Sequence, residues 1–242
     1  MSPLIYIILA IVAVAFTAYA IVNIIPKKLH WILSILLLVL IVYLSSLIYG
    51  SIMKPIHFKN KKIAKYTKVI ENLKMIRDAQ IDRRKVVGGY TSNMQDLINF
   101  VDTAKFAITQ IRNTNEKVDT GGGIMVDREK RVVDTIGFKA VKDNYKNRDY
   151  KNMFNVPGTN VKFEMEVDSV EKSGLKSQVF RASVAKDIVL AGMDKELIRI
   201  EKKAVGGVDV SGVDISVGSL SDVKVTGNWP PFYDNKDRKE KK

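Results

Sequence analysis

Two long uncharged apolar stretches at the N-terminus constrain this chain more than any other feature. Leu4–Ile25 runs 22 residues without a charge, and Trp31–Met53 another 23. Each exceeds the roughly 20 apolar residues that cross a bilayer core of about 30 Å. Thirteen positions of the first are Leu, Ile, Val or Phe. The link Pro26-Lys27-Lys28-Leu29-His30 is short and breaks a helix, so the two stretches are expected to form a transmembrane hairpin. Ala18-Tyr19-Ala20 has the form of a signal-peptidase site. However, no basic segment precedes it and the apolar run continues past it, which favours an uncleaved span.

Small residues predict how the spans meet. Ala10, Ala13, Thr17 and Ala20 recur on one helix face, and Ser46 and Gly50 form a small face on the second span. Such faces let helices approach closely in lipid, where no hydrophobic force draws them together. Neither span carries an acid, a base or a central histidine, which argues against an ion or proton pathway.

Net charge then needs an explanation. The chain carries 39 Lys+Arg against 26 Asp+Glu, a formal +13. Basicity of this size invites a nucleic-acid reading, but its distribution points elsewhere. Residues 54–85 hold eleven basic side chains against Glu71, Asp78 and Asp82, whereas residues 86–233 are within about one charge of neutral. The charge is a collar after the second span. Lys54, Lys59, Lys61, Lys62 and Lys65 are expected at an anionic headgroup surface, each gaining about 1 kcal/mol there. No nucleic-acid motif is present, so the expected partners are the membrane and proteins.

Beyond the collar, residues 60–82 read as a helix continuing from the membrane. Ile63, Tyr66, Val69, Ile70, Leu73, Ile76 and Ile81 fall on one face. Ser92-x-x-Gln95 has the form of a capping box opening a short helix over 93–104. Strand-like segments follow at Phe106–Ile111, Val132–Phe138, Val161–Val167, Gln178–Val184, Val208–Val217 and Asp222–Val225. Asp194 is the expected N-cap of a helix over 194–203. Asn113–Gly123 and Asp143–Gly158 read as loops. Helices followed by strands predict an α+β domain with an antiparallel sheet. The expected organisation is a two-helix transmembrane hairpin over 1–53 (spans about 4–25 and 31–53). A basic juxtamembrane helix over 54–85, an α+β soluble domain over 86–233 and a charged tail over 234–242 complete it.

A search for chemistry returns little. Cysteine is absent, which removes disulfides and thiolate sites. The two histidines, His30 and His57, flank the second span and have no companion ligands. Gly121-Gly122-Gly123 lacks the Gly-Lys-Ser/Thr of a phosphate loop. No G-x-S-x-G elbow occurs. Glu164 and Glu166 fall on the same face of an alternating strand, the pattern of a wet face. Trp229-Pro230-Pro231 is expected to cover a core edge. No catalytic, cofactor or metal residue is expected, and the chain reads as non-enzymatic.

Four segments carry a resemblance. Leu47–Pro55, Ile76-Arg77-Asp78-Ala79-Gln80, Gly89-Tyr90-Thr91-Ser92 through Leu97, and Gly227-Asn228-Trp229-Pro230 resemble an uncharacterised family of bacterial membrane-anchored proteins. The helix, Gly-Tyr turn, short helix and sheet also resemble, loosely, type II secretion pseudopilins, without their prepilin-peptidase site. The two stretches predict a multi-pass protein of the bacterial inner membrane. The resemblance, to a family with one span, implies a domain outside the cytoplasm, with Lys27-Lys28 the inner flank and Leu4–Ile25 an added span. Charge bias implies the reverse, with six lysines from Lys54 to Lys68 against two in the link. The expected role is a structural or interaction subunit of an envelope assembly. The alternative is a tethered module for anionic headgroups or a small ligand.

Overall fold

The computed structural model describes residues 5, 8–9, 12, 14–19, 26, 30–119, 121, 125–172 and 174–234. The chain divides into two compact units, Met1–His57 and Phe58–Lys242. One helix, α1 (His30–Val87), contributes to both.

Within the first unit, α1 contains one candidate membrane span, and none of its apolar window is buried. Leu36, Leu38, Ile41 and Val42 are all exposed. A helix apolar all round with no protein cover is unsuited to water and suited to lipid. The expected first span lies largely outside the described residues. Residues 14–19 of it are helical and exposed. Among the described residues there is thus one candidate span, and a two-helix hairpin is not shown. Ala10, Ala13 and Ala20 also lie outside the described residues. Thr17 donates to the Val14 carbonyl at 2.9 Å. Ser46 is exposed, and a Cβ at Gly50 would meet nothing within 4 Å.

From Phe58 onward the same helix belongs to the folded domain. Tyr66, Val69, Ile70, Leu73 and Ile76 are buried in its core, while Ile63 and Ile81 are half-buried. That is the apolar face the 3.6-residue period predicts. Pro55 lies within α1 and removes one N–H from its ladder. The helix ends where Gly88 turns at φ +88°, and its N–H bonds the Arg84 carbonyl at 3.0 Å. The return turn is held from below. Buried Gln80 donates to the Thr91 carbonyl at 2.5 Å and accepts the Thr91 N–H at 3.1 Å.

Helix α2 (Met94–Thr103) follows, with Leu97, Phe100 and Val101 buried. Its cap is Asn93, not the expected Ser92. The Asn93 side chain accepts from the N–H groups of Gln95 and Asp96. Two separate sheets come next. Strands β1 (Lys105–Asp119) and β2 (Met125–Ala140) form a two-stranded antiparallel ribbon with a bulge at Ile108/Thr109. Strands β3 (Glu164–Lys172), β4 (Leu175–Ala185) and β5 (Asp214–Gly218) form a three-stranded antiparallel sheet in that order. Helix α3 (Lys186–Val189) and helix α4 (Lys195–Lys202) lie between β4 and β5, and Asp194 caps α4 as expected.

Several expectations are corrected. Asn113–Asp119 is strand, not loop, because β1 extends along β2 far beyond its apolar base. Asp143–Gly158 is a packed segment with two short 3-10 turns that bury Tyr145, Met153, Phe154 and Val156. The Tyr145 hydroxyl donates to buried Asp82 at 3.2 Å. The segment from Val208 becomes strand only at Asp214, after Gly212 at φ +82° interrupts the extended backbone. Asp222–Val225 pairs with no strand, and the chain rejoins the sheet through a single bridge from Gly227 to Val217.

Candidate interaction surfaces

The collar lysines separate into two groups. Lys54, Lys59 and Lys61 are exposed. Lys62 is 6% exposed, and its ammonium donates to Glu201 at 2.6 Å and to Asp209 at 2.8 Å. Lys65 donates to the backbone carbonyls of Val189 at 2.9 Å and Ala191 at 3.2 Å. Lys62 and Lys65 lie about one and two helical turns past Phe58, and their ammonium groups bond the C-terminal half of the folded domain.

Lys62 opens a buried polar cluster that sequence reasoning missed. Lys186 is fully buried. Its ammonium donates to the carbonyls of Glu201 and Val210, both at 2.7 Å, and lies 3.5 Å from the Glu201 carboxylate. All three ammonium donors therefore have acceptors. Burial pulls the Lys186 pKa below its ordinary value, against the opposing pull of Glu201. At Lys62 burial also disfavours the charge. There the hydrogen bonds to Asp209 and Glu201 outweigh it, and its pKa is raised. Tyr66, whose hydroxyl lies 3.5 Å from Glu201, is pushed up by burial and then by that carboxylate. Two lysines and two acids, bonded to one another, clamp α1 to the C-terminal half of the domain. A signal for it existed: Phe180, Ala182 and Val184 are the inward positions of β4, and Lys186 continues their two-residue phase. Glu201 likewise shares the buried face of α4 with Ile198.

Other features offer little chemistry. Glu164 and Glu166 are exposed on β3. Trp229 is 8% exposed at the core edge, and its indole N–H donates to Asp234 at 3.2 Å. Among the described residues no group of three or more His, Asp or Glu side chains converges to hold a metal ion. An open cleft of about 520 Å³ is lined by Arg181, Ser219, Ser221, Lys224 and Thr226. Its Arg181 is already paired with Asp214.

Among the described residues the β1–β2 ribbon is a surface that the rest of the fold leaves largely uncovered. From Ala107 to Lys117 every residue of β1 is exposed. Residues directly opposite each other share a face, so Ala107–Phe138, Thr109–Thr135 and Ile111–Val133 make one stripe. Phe138 is 69% exposed, Val133 56% and Ile111 50%, a run of large apolar groups in water. A lone two-stranded ribbon is marginal in water at best. Contiguous apolar patches on soluble surfaces mark contact sites.

No family model, no curated protein and no solved structure matches this chain. The established frame is therefore coarse: a long apolar N-terminal helix followed by a mixed α/β region with antiparallel sheets.

Proposed function

We propose that this chain is a non-enzymatic, membrane-anchored interaction subunit of a bacterial envelope assembly. In this reading both apolar stretches span the inner membrane as a hairpin, and the β1–β2 ribbon is the element that meets protein partners. The exposed stripe of Ile111, Val133 and Phe138 carries the proposal, because burying such groups is worth about 25 cal/mol per Å². A photo-crosslinking residue at Phe138 of the full chain tests it, with one at exposed Glu166 as control. The expected result is a discrete adduct from Phe138 only, abolished by Val133→Ser. Equal or absent crosslinking at both positions, with a monomer in mild detergent, would overturn the reading.

A second reading rests on the exposed ammonium groups of Lys54, Lys59 and Lys61, which suit anionic headgroups. Thermal stability of the full chain in lipid nanodiscs should then rise with anionic lipid content and lose that gain in salt. Replacing the three lysines by alanine should remove the dependence. A native chain indifferent to lipid charge would exclude this reading.

A further inference from the structure

We propose that the open edge of β1 pairs antiparallel with β1 of a second copy, in a register centred on Thr114. The result is a four-stranded sheet in the order β2, β1, β1 of the second copy, β2 of the second copy. The proposal rests on reading the ribbon as an interaction element and names the partner of its β1 edge.

Three observations carry it. The first is that the edge is open and extended. Beyond the bulge at Ile108/Thr109, β1 keeps an unbroken register with β2 from Thr109 to Asp119. Neither strand contains proline, and the four charges between Thr109 and Asp119 (Arg112, Glu116, Lys117 and Asp119) are of mixed sign. Natural edge strands that avoid association are short, bulged, proline-bearing or charged. This one presents a row of backbone donors and acceptors.

The second observation is charge register. A two-fold axis through an antiparallel pair sets residues of one face opposite each other, so each symmetric register is centred on a residue. Centring on Arg112, Glu116 or Lys117 sets that charge against itself. Centring on Asn113 or Asn115 brings no opposite charges together. Centring on Thr114 places Arg112 opposite Glu116 of the second copy twice over, and Asn113 opposite Asn115. On the β2 edge, registers centred on Arg128 or Glu129 oppose like charges, and one centred on Val132 opposes Lys130 with Asp134, so the two edges are told apart by which centre crosslinks.

Third, the existing ion pairs extend into the same row. Glu116 bonds Lys130 at 3.0 Å and Arg112 bonds Asp134 at 3.0 Å, and all four side chains lie on one face of the ribbon. In the Thr114 register the row reads Lys130, Glu116, then Arg112 and Asp134 of the second copy, alternating in sign across four strands. Opposite charges facing across strands stabilise a sheet, and like charges destabilise it. Ile111 meets Lys117 of the second copy, whose aliphatic stem can cover it.

The native chain has no cysteine, which makes the register directly readable. Thr114→Cys in the full chain, mildly oxidised in detergent, should give a disulfide-linked dimer. Facing residues of an antiparallel pair sit about 4.5–5.5 Å apart at Cα, within disulfide reach. Val132→Cys, at the centre of the charge-matched β2 register, should give none. Arg112→Glu and Glu116→Arg should each lose the dimer, and mixing the two variants should restore it, because each then supplies what the other lacks. The proposal is overturned if position 114 crosslinks no better than position 132, or if mixing restores nothing. Failure here with a persistent Phe138 adduct would leave the ribbon an interaction element for a different protein. Loss of both would remove the broader reading as well.

Discussion

Glu201 is the residue on which the second unit's charge balance turns. Its carboxylate bonds Lys62 from α1 and neighbours Lys186, which has no exposed surface. Glu201→Gln keeps the shape and removes the charge, leaving two buried lysines with Asp209 as their remaining acid. Removing one partner of a buried pair typically costs about 3–5 kcal/mol. A drop of that size in denaturant-derived stability is expected for the full chain, with Lys61→Gln on the exposed side of the helix changing little. A clamp without effect on stability would argue that these groups serve something other than folding. Asp234 offers a pH test. Its partial burial raises the carboxyl pKa, but the Lys74 and Trp229 hydrogen bonds and the Lys74 charge outweigh that and hold it below its unfolded value. A lowered acid contributes stability in full above the unfolded value of 3.8 and loses it as pH falls through the folded value. Asp234→Asn should therefore be less stable than the native chain at neutral pH. The two should converge in strong acid when melting temperature is followed against pH.

Secondary elements were legible where periodicity or capping chemistry had something to act on. The buried face of α1 was readable because Tyr66, Val69, Ile70, Leu73 and Ile76 repeat at helical spacing against one core. The cap of α4 was readable because an aspartate preceded an amphipathic run. At α2 two cap-competent residues stood side by side, and backbone geometry chose between them. Asn93 holds an extended conformation with its side chain over the first turn, while Ser92 lies one position too early. Asn93→Ala should cost about 1 kcal/mol, and Ser92→Ala almost nothing, in paired unfolding measurements. The reverse order would restore the Ser92 box. Asp143–Gly158 was misread because Tyr145, Met153, Phe154 and Val156 enter the core from turns, without a period for pattern analysis to detect. The outer half of the ribbon escaped notice for the opposite reason. With no core to bury, Asn113–Lys117 has no alternation to show. Some residues of the segments that carried the resemblance make fold contacts: Gln80 donates to the Thr91 carbonyl, and Arg83 to that of Gly89. Asn228 ties Ser211, Asp214 and Ser216 together.

At the scale of the whole molecule the two-span reading makes the sharpest prediction. One candidate span lies in α1, and the second rests on the composition of Leu4–Ile25. The alternatives differ in a countable way: two spans return the chain to the side where it began, and one span does not. Ser2→Cys and Ser221→Cys, each on the cysteine-free background, can be probed with an impermeant thiol reagent in intact spheroplasts and after lysis. Ser221 is exposed on the folded domain, so its access reports the membrane and not the fold. A hairpin requires the two positions to label together, both before lysis or both only after it. Opposite behaviour would mean a single span and would remove the hairpin with its Ala10, Ala13, Thr17 and Ala20 face. The same pair of measurements decides sidedness. Protection of Ser221→Cys until lysis would agree with the lysine bias from Lys54 to Lys68. Labelling in intact spheroplasts would agree with the family resemblance and place the ribbon, with any second copy it pairs with, outside the cytoplasm.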